Sequence, residues 1–443
     1  MIAKLYRCFL QCRPVFIDSR QAADGGIFFA VGTPDAEGYH KSCHYAIQAL
    51  NEGADFAVIN NPDIYTQNQP YQARLFLVNN SEETLQMLAA WHRRQLKIPV
   101  VAIAGSNGKT TTKELLLRLL RHRFRCFATP RNLNNHLGVP LSILQIDDSH
   151  EIAVLEIGAN HLNETLTLAQ IARPSYGLVT NNGKDHLGEY GSMENIRRAN
   201  AELYDYLAAN EGTAFVNIGD AELMQRSAHV ARREYYGLNS YFGAELLTAP
   251  FLSFNLLLDK QKTKVQSPLF GAYWVETLLG AAFVAHYFNI TIETIAFELS
   301  NYHPQNLRGE TRTWQTNQLL LDCYNANPSS MGVFLEAAQS PVIDKEKKLK
   351  VLVLGEMLEL GVFAIQEHQE LVNRIDLTQF EQVFLVGKEF EKITFAGSPI
   401  LKLLANAAEL KIALAQLNLQ NAMIMVKGSR GNRLETAFDI TAE

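Results

Sequence analysis

The stretch Val100-Val101-Ala102-Ile103-Ala104-Gly105-Ser106-Asn107-Gly108-Lys109-Thr110-Thr111 joins an apolar run to a Gly-rich turn and then to Lys-Thr-Thr. Such a strand–turn–helix suits a phosphate. Gly105 and Gly108 permit positive φ and close approach, and the N–H groups of Ser106 to Thr110 can wrap the anion. The helix that follows points its positive end at the anion. Lys109 is placed to reach the β- and γ-phosphates, and the Thr110 hydroxyl suits Mg²⁺. The common G-x-x-x-x-G-K-[ST] pattern would need its first glycine where Ile103 stands; here that glycine comes late, at Gly105. The bland alternative is a Gly-rich turn that binds nothing.

Two further residues bear on the same chemistry. The apolar run Ile152-Ala153-Val154-Leu155 ends in Glu156, and His186 follows the next such run. In a doubly wound sheet the carboxyl ends of neighbouring strands converge on one crevice, which brings Glu156 and His186 toward a γ-phosphate. Each alone could be a solvated loop residue; together they favour a metal or phosphate role. The guanine-reading Asn-Lys-x-Asp is absent, because Asn182-Gly183-Lys184-Asp185 has the wrong spacing.

These residues must be held by a substantial scaffold. A chain of 443 residues, 47% apolar, predicts about three domains. Net charge is −6, so no overall field draws nucleic acid or an anionic membrane. Five scattered cysteines form no Cys-x-x-Cys pair, which argues against a disulfide framework or zinc site and fits a reducing cytosol. Lys4, Arg7 and Arg13 interrupt any signal-peptide core, and no apolar run is long enough to span a membrane.

The pattern predicts an α/β chain. In the first stretch, strands are expected at 15–17, 27–31, 56–59 and 75–78, with helices over 39–51 and from Ser81. In the second, strands at 100–104, 152–157, 176–180 and 214–217 alternate with helices at 109–121, 193–208 and 275–288, which predicts a mostly parallel sheet. The third repeats the style, with strands at 319–323, 350–354, 383–386 and 422–426 and helices at 329–338, 367–376, 404–416 and 432–438. The Leu and Phe residues of 246–258 read as core.

An ordered set of motifs resembles the Mur ligase family over nearly the whole chain. Gly105-Ser106-Asn107-Gly108-Lys109-Thr110-Thr111-Thr112-Lys113-Glu114 is similar to its phosphate loop, and Asp18-Ser19-Arg20 to its uridine-nucleotide motif. Asn134-Asn135-His136-Leu137-Gly138-Val139-Pro140 resembles its substrate loop, and Glu156-Ile157-Gly158-Ala159-Asn160 its metal-carboxylate strand. Tyr324-Asn325-Ala326-Asn327-Pro328-Ser329-Ser330-Met331 is the most specific, resembling the branch that adds D-alanyl-D-alanine. Met357-Leu358-Glu359-Leu360-Gly361 and Lys427-Gly428-Ser429-Arg430-Gly431 resemble C-terminal motifs.

The resemblance implies three domains: a small α/β N-terminal domain for a UDP-sugar peptide at 1–98, a central P-loop ATPase domain at 99–303, and a C-terminal Rossmann-like domain at 304–443. It implies a cytoplasmic, monomeric ligase using ATP and Mg²⁺. That ligase would join D-alanyl-D-alanine to UDP-N-acetylmuramoyl-tripeptide through an acyl phosphate, for peptidoglycan precursors. Lys109, Glu156 and His186 would be catalytic, with Thr110, Glu156 and His186 near metal. Gly105 to Thr111, Arg308 and Asp322 would hold ATP. Ser19, Arg20, Asn134, Asn135, Tyr324, Asn325 and Asn327 would hold substrates. Arg308 could instead be a solvated linker charge, and Asn325 and Asn327 turn residues beside Pro328. His368 and Arg430 are weighed equally as ligands and as surface residues.

The sequence also departs from the family. Asn200 stands where the family carbamylates a lysine, Trp274 lies in an altered adenine motif, and Glu356 replaces an aspartate. Two rival readings stay open here: a folylpolyglutamate synthase-like ligase, and a non-catalytic nucleotide-binding regulator of the same fold.

Overall fold

The computed structural model describes residues 1–21, 25–248, 251–259, 261–340, 349–395 and 397–440. Strands buried on both faces select continuous apolar runs, and these runs build three mainly parallel sheets. The first has four parallel strands, Val15–Phe16, Ile27–Phe29, Phe56–Ile59 and Leu75–Leu77, in that order.

The central sheet has six parallel strands. Its order is Arg232–Tyr236, Thr213–Asn217, Tyr176–Val179, Val100–Ala104, Ile152–Glu156, Cys126–Ala128. All five residues of Val100–Ala104 are buried, with Ile152–Glu156 on one side and Tyr176–Val179 on the other. The phosphate loop therefore leaves the sheet between the segments that carry Glu156 and residues 180–186.

The third sheet has six strands: Arg308–Trp314, Asn317–Asp322, Met423–Lys427, Lys350–Gly355, Gln382–Val386, Leu401–Leu404. Its first pair is antiparallel and the rest are parallel.

Apolar packing joins these units unequally. One continuous core runs from Leu5 and Phe9 through Leu85 and Leu88 to Ala102, Leu155 and Leu203, so the first sheet's helical layer is fused to the central sheet. The third sheet has its own core on each face, and one of these reaches Leu187, Tyr190 and Phe270 of the central unit.

Several expectations need correction. Residues 242–270 form a three-stranded antiparallel sheet, Phe242–Thr248, Phe251–Leu258 and Gln261–Phe270. Its pleat buries Leu252, Phe254 and Leu256 but exposes Leu246, Leu247 and Phe251, so 246–258 is only partly core. The helix expected over 39–51 is a 3₁₀ turn, Lys41–Tyr45, followed by a short α-helix, Ala46–Asn51. The helix expected over 432–438 is two 3₁₀ turns separated by left-handed Arg433. The helix expected from 404 begins later, as Ala407–Gln416, because Leu401–Leu404 adds an edge strand. An amphipathic helix, Ile2–Gln11, was not foreseen; it buries Leu5 and Phe9, one turn apart.

The helix behind the phosphate loop, Lys109–Leu120, is anchored at its far end. Glu298, on the helix Ile292–Ser300, accepts bonds from Arg118 Nε and from His122 Nε2, the latter at 2.7 Å. Burial pushes the Glu298 carboxyl up, but the bonds from Arg118 and His122 outweigh it and hold the group below its ordinary 4.5. A carboxyl depressed in the folded state contributes stability above its unfolded pKa and loses it as the pH falls through the folded value. Glu298→Gln is therefore expected to cost roughly 1–3 kcal/mol at neutral pH, with the difference from wild type closing in acid. Denaturant unfolding of both proteins at pH 7 and pH 3 checks this; a constant difference would refute it.

Candidate active site at the domain seam

Gly105 (φ +117°) and Gly108 (φ +82°) hold the phosphate loop in left-handed conformations. A Cβ on Gly105 would lie 2.3 Å from Thr180 Oγ1, so the loop presses directly onto the segment after the neighbouring strand. This contact changes the expected roles of Ser106 and Asn107. Their N–H groups donate to Asn181, to its carbonyl at 2.9 Å and its side-chain Oδ1 at 3.1 Å, rather than facing a phosphate. The Ser106 hydroxyl donates to Gly183 O at 3.1 Å. The first bond closing the helix runs from Thr112 N to Gly108 O, which leaves the N–H groups of Gly108 to Thr111 as its unpaired first turn. The N–H groups left free to face an anion are thus those of Gly108 to Thr111, where the sequence reading expected Ser106 to Thr110. Lys109 Nζ folds back on the loop, donating to Gly105 O and, at 3.1 Å, to Ser106 O. Thr111 is buried beside Tyr302.

Glu156 ends its strand almost fully buried. Its Oε1 accepts from Thr110 Oγ1 at 3.1 Å and from Asn134 Nδ2 at 2.7 Å. Its Oε2 is buried without a hydrogen-bond partner, with the Lys113 ammonium 3.4 Å away. Asn135 is spent differently: its side-chain oxygen accepts from Leu137 N and Gly138 N, capping the helix Gly138–Ile143.

His186 has neighbours of its own. It is left-handed (φ 45°), and its Nδ1 lies 3.0 Å from Glu359 Oε2 and 3.2 Å from Glu189 Oε2. Burial works to lower its pKa, but the Glu359 carboxylate, aided by Asp185, outweighs this and raises it; the Lys109 charge opposes them. His186 thus stands within reach of the Lys109 field while pairing across the seam. Among the described residues no group of three or more His, Cys, Asp or Glu side chains is arranged to hold a metal ion.

The third sheet brings the signature residues to the phosphate loop. Asn327 caps the helix Pro328–Ala338, accepting from Ser330 N, and its Nδ2 donates to Asn107 Oδ1 at 2.8 Å. Lys184 N donates to Ser329 Oγ at 2.9 Å, and Lys184 Nζ donates to buried Glu367 at 2.6 Å. Arg308 lays its guanidinium 3.5 Å from the Tyr324 ring centre, so it is a stacked group rather than a solvated linker charge. Asp322 pairs with buried Lys427 at 2.6 Å. Asn325 is exposed, and its carbonyl accepts from Lys427 Nζ at 3.4 Å.

Other residues lie apart from this group. Ser19 and Arg20 form a 3₁₀ turn of the first unit, where Arg20 pairs with Asp18 at 2.6 Å. His368 is buried and structural: its Nε2 accepts from Met357 N at 2.9 Å, and its Nδ1 therefore donates to Ala364 O at 2.7 Å. Arg430 is tied to Glu435 at 2.6 Å. Asn200 donates to Asn182 Oδ1 at 2.9 Å, a neutral bond beside the loop. Glu202 accepts from Asn163 N and Leu166 N, which commits it to the start of the helix Glu164–Ala172.

Lys113 enters the sequence reading only within the phosphate-loop motif and Lys184 only as a spacing mismatch, and neither they nor Glu367 have a role in it. Lys113 carried a signal, since it follows Lys109 by one helical turn. Lys184 and Glu367 carried none, because their pairing depends on how two units dock.

The chain is similar to known proteins over nearly its whole length. Residues 103–285 match the Mur ligase middle domain, and residues 308–430 match the Mur ligase, glutamate ligase domain. The chain is 30% identical to the UDP-N-acetylmuramoyl-tripeptide–D-alanyl-D-alanine ligase of Escherichia coli (strain K12), over 95% of this chain and 92% of that one. MurF from Acinetobacter baumannii superposes with a TM-score of 0.85 at 27% identity, covering 99% and 97% of the two chains. MurF from Thermotoga maritima, solved with ADP, gives a TM-score of 0.82 at 25% identity, covering 97% of each. With both domain matches falling on the two units that meet at the phosphate loop, the chain belongs to the Mur ligase family.

Proposed function

We propose that the chain is an ATP-dependent ligase that joins D-alanyl-D-alanine to UDP-N-acetylmuramoyl-tripeptide in the cytoplasm, making a peptidoglycan precursor. The observation that carries this reading is the Asn327–Asn107 bond of 2.8 Å, which seats the Tyr324–Met331 signature on the phosphate loop. We take 1–98 as the unit for the UDP-linked acceptor, 99–303 for ATP, and 304–443 for the incoming dipeptide.

The residues at Glu156 fit one Mg²⁺. A hard cation prefers oxygen ligands, and the Glu156 carboxylate with the Thr110 hydroxyl that donates to its Oε1 supplies them; Oε2 has no hydrogen bond but faces the Lys113 ammonium at 3.4 Å. When bound, the ion would neutralise phosphate charge. His186, engaged with Glu359 and Glu189, is assigned to the seam, and a direct metal bond is not required of it.

The chemistry follows from charge. A carboxylate and an amine do not condense in water without activation. The acceptor carboxylate oxygen attacks the γ-phosphorus, the bond to ADP breaks, and an acyl phosphate forms. Two anions meet in that step, and Lys109 with the helix N–H groups offsets their repulsion. The dipeptide amine then attacks the acyl carbon, loses a proton, and phosphate leaves with the C–O electron pair. Water would intercept the acyl phosphate, so the third unit must cover the site.

Phosphate release with the UDP-tripeptide, with and without D-alanyl-D-alanine, tests the reading. Release that depends on both substrates, with amide product, is expected. In competition, single amino acids such as D-alanine or L-lysine should be used at roughly a hundredth of the dipeptide's efficiency or less, because a site built to bond a longer ligand leaves polar groups unpaired with a shorter one. Equal use of a single amino acid would point to a sister ligase.

A further inference from the structure

Lys113 plays no part in the chemistry above, yet its side chain is only 4% exposed. A buried ammonium is costly unless both its charge and its hydrogen bonds are matched. Lys113 Nζ donates to the carbonyl of Arg131 at 2.7 Å and lies 3.4 Å from Glu156 Oε2. Arg131 is itself held in the left-handed region (φ 50°), a conformation that a non-glycine residue keeps only when its surroundings hold it there. Three residues on, Asn134 Nδ2 bonds the other oxygen of the same carboxylate at 2.7 Å. The ammonium ties down the start of the loop and the amide its middle, and both ties converge on Glu156.

We propose that Lys113 is a positioning residue for the UDP-linked acceptor. It clamps the Arg131 turn, and through that turn it sets where Asn134 and the rest of the 131–135 loop meet the acceptor. The proposal rests on the reading that this loop receives the acceptor. The contacts of its ammonium are the Arg131 carbonyl and the Glu156 carboxylate, so it acts through them. Its helix is shared with the phosphate loop, so the clamp holds acceptor loop and nucleotide loop in one frame. A methionine would fill much of the same volume but would leave the Arg131 carbonyl unbonded and the turn free to relax.

Calorimetric binding separates positioning from mere stability. Lys113→Met is titrated with UDP-N-acetylmuramoyl-tripeptide and, in a separate metal-free experiment, with ADP. The expected result is a loss of acceptor affinity of roughly tenfold or more, the size of one charge-assisted hydrogen bond, with ADP affinity within about twofold of wild type. Lys113→Arg, which keeps a cation and donors, should recover most of the acceptor affinity. Unchanged acceptor affinity, or an equal loss for ADP, overturns the positioning role. A wild type that fails to bind the UDP-tripeptide overturns the acceptor reading itself. If the single variant does not fold, Lys113→Met/Glu156→Gln, which leaves no lone buried charge, is compared with Glu156→Gln alone, so that the difference between the two isolates Lys113; the same outcomes decide.

Discussion

Lys109→Ala is expected to lower amide formation by roughly 10³-fold while leaving UDP-tripeptide binding nearly intact. Lys109 opens the helix Lys109–Leu120, directly after left-handed Gly108. Among the described residues no carboxylate pairs with its ammonium, which bonds only the loop carbonyls of Gly105 and Ser106. Its charge is thus uncommitted within the fold and available to an anion that enters the first turn. Removing it costs the loop two ties to its own carbonyls and costs phosphoryl transfer its nearest fixed positive charge. The acceptor loop is held through Glu156, Asn134 and Lys113 instead, so acceptor affinity should survive. Single-turnover amide formation and calorimetric binding of the UDP-tripeptide check the two halves separately. Near-normal turnover would remove Lys109 from the chemistry, and lost acceptor binding would mean that the loop itself had collapsed.

Much of this site was legible because its parts are local. A phosphate loop needs its glycines, lysine and threonine within a few residues, and Gly105 to Thr110 supply them in sequence order. The parallel sheets were legible for a related reason: strands covered on both faces, such as Val100–Ala104, leave no polar residue to confuse the pattern. The antiparallel sheet at 242–270 hid because Leu246, Leu247 and Phe251 are apolar yet exposed, which erases the alternation that marks a one-sided strand. The loop's N–H groups were misassigned because the competing acceptor, Asn181, lies 74 residues from Asn107. Lys184 and Glu367 are 183 residues apart and His186 and Glu359 also lie on different units; such pairs come from docking, which no local pattern encodes.

Gly188→Val is expected to reduce kcat by roughly 100-fold while leaving binding of ADP and of the UDP-tripeptide within a few-fold of wild type. Gly188 lies in the short helix Leu187–Tyr190 of the central unit, and its N–H donates to Glu359 O at 3.1 Å. A Cβ there would stand 2.8 Å from Gly361 N, 2.9 Å from Leu360 C and 3.0 Å from Glu359 O. All three are backbone atoms of the third unit, so no rotamer change can make room. Gly188 is not itself in a left-handed conformation, so valine need not strain the central unit; Gly361 (φ +53°) would confound the same experiment. The block falls on the seam, where Leu187 and Tyr190 pack into the core that contains Met357 and Leu360, and where His186 meets Glu359. Holding the third unit back should also expose the acyl phosphate to water. The ratio of phosphate released to amide formed should therefore rise, a signature that simple loss of stability would not produce. Small-angle scattering should report a more open particle with both substrates bound. A Gly188→Val enzyme with normal kcat and one phosphate per amide would show that this close approach is not required in the working state.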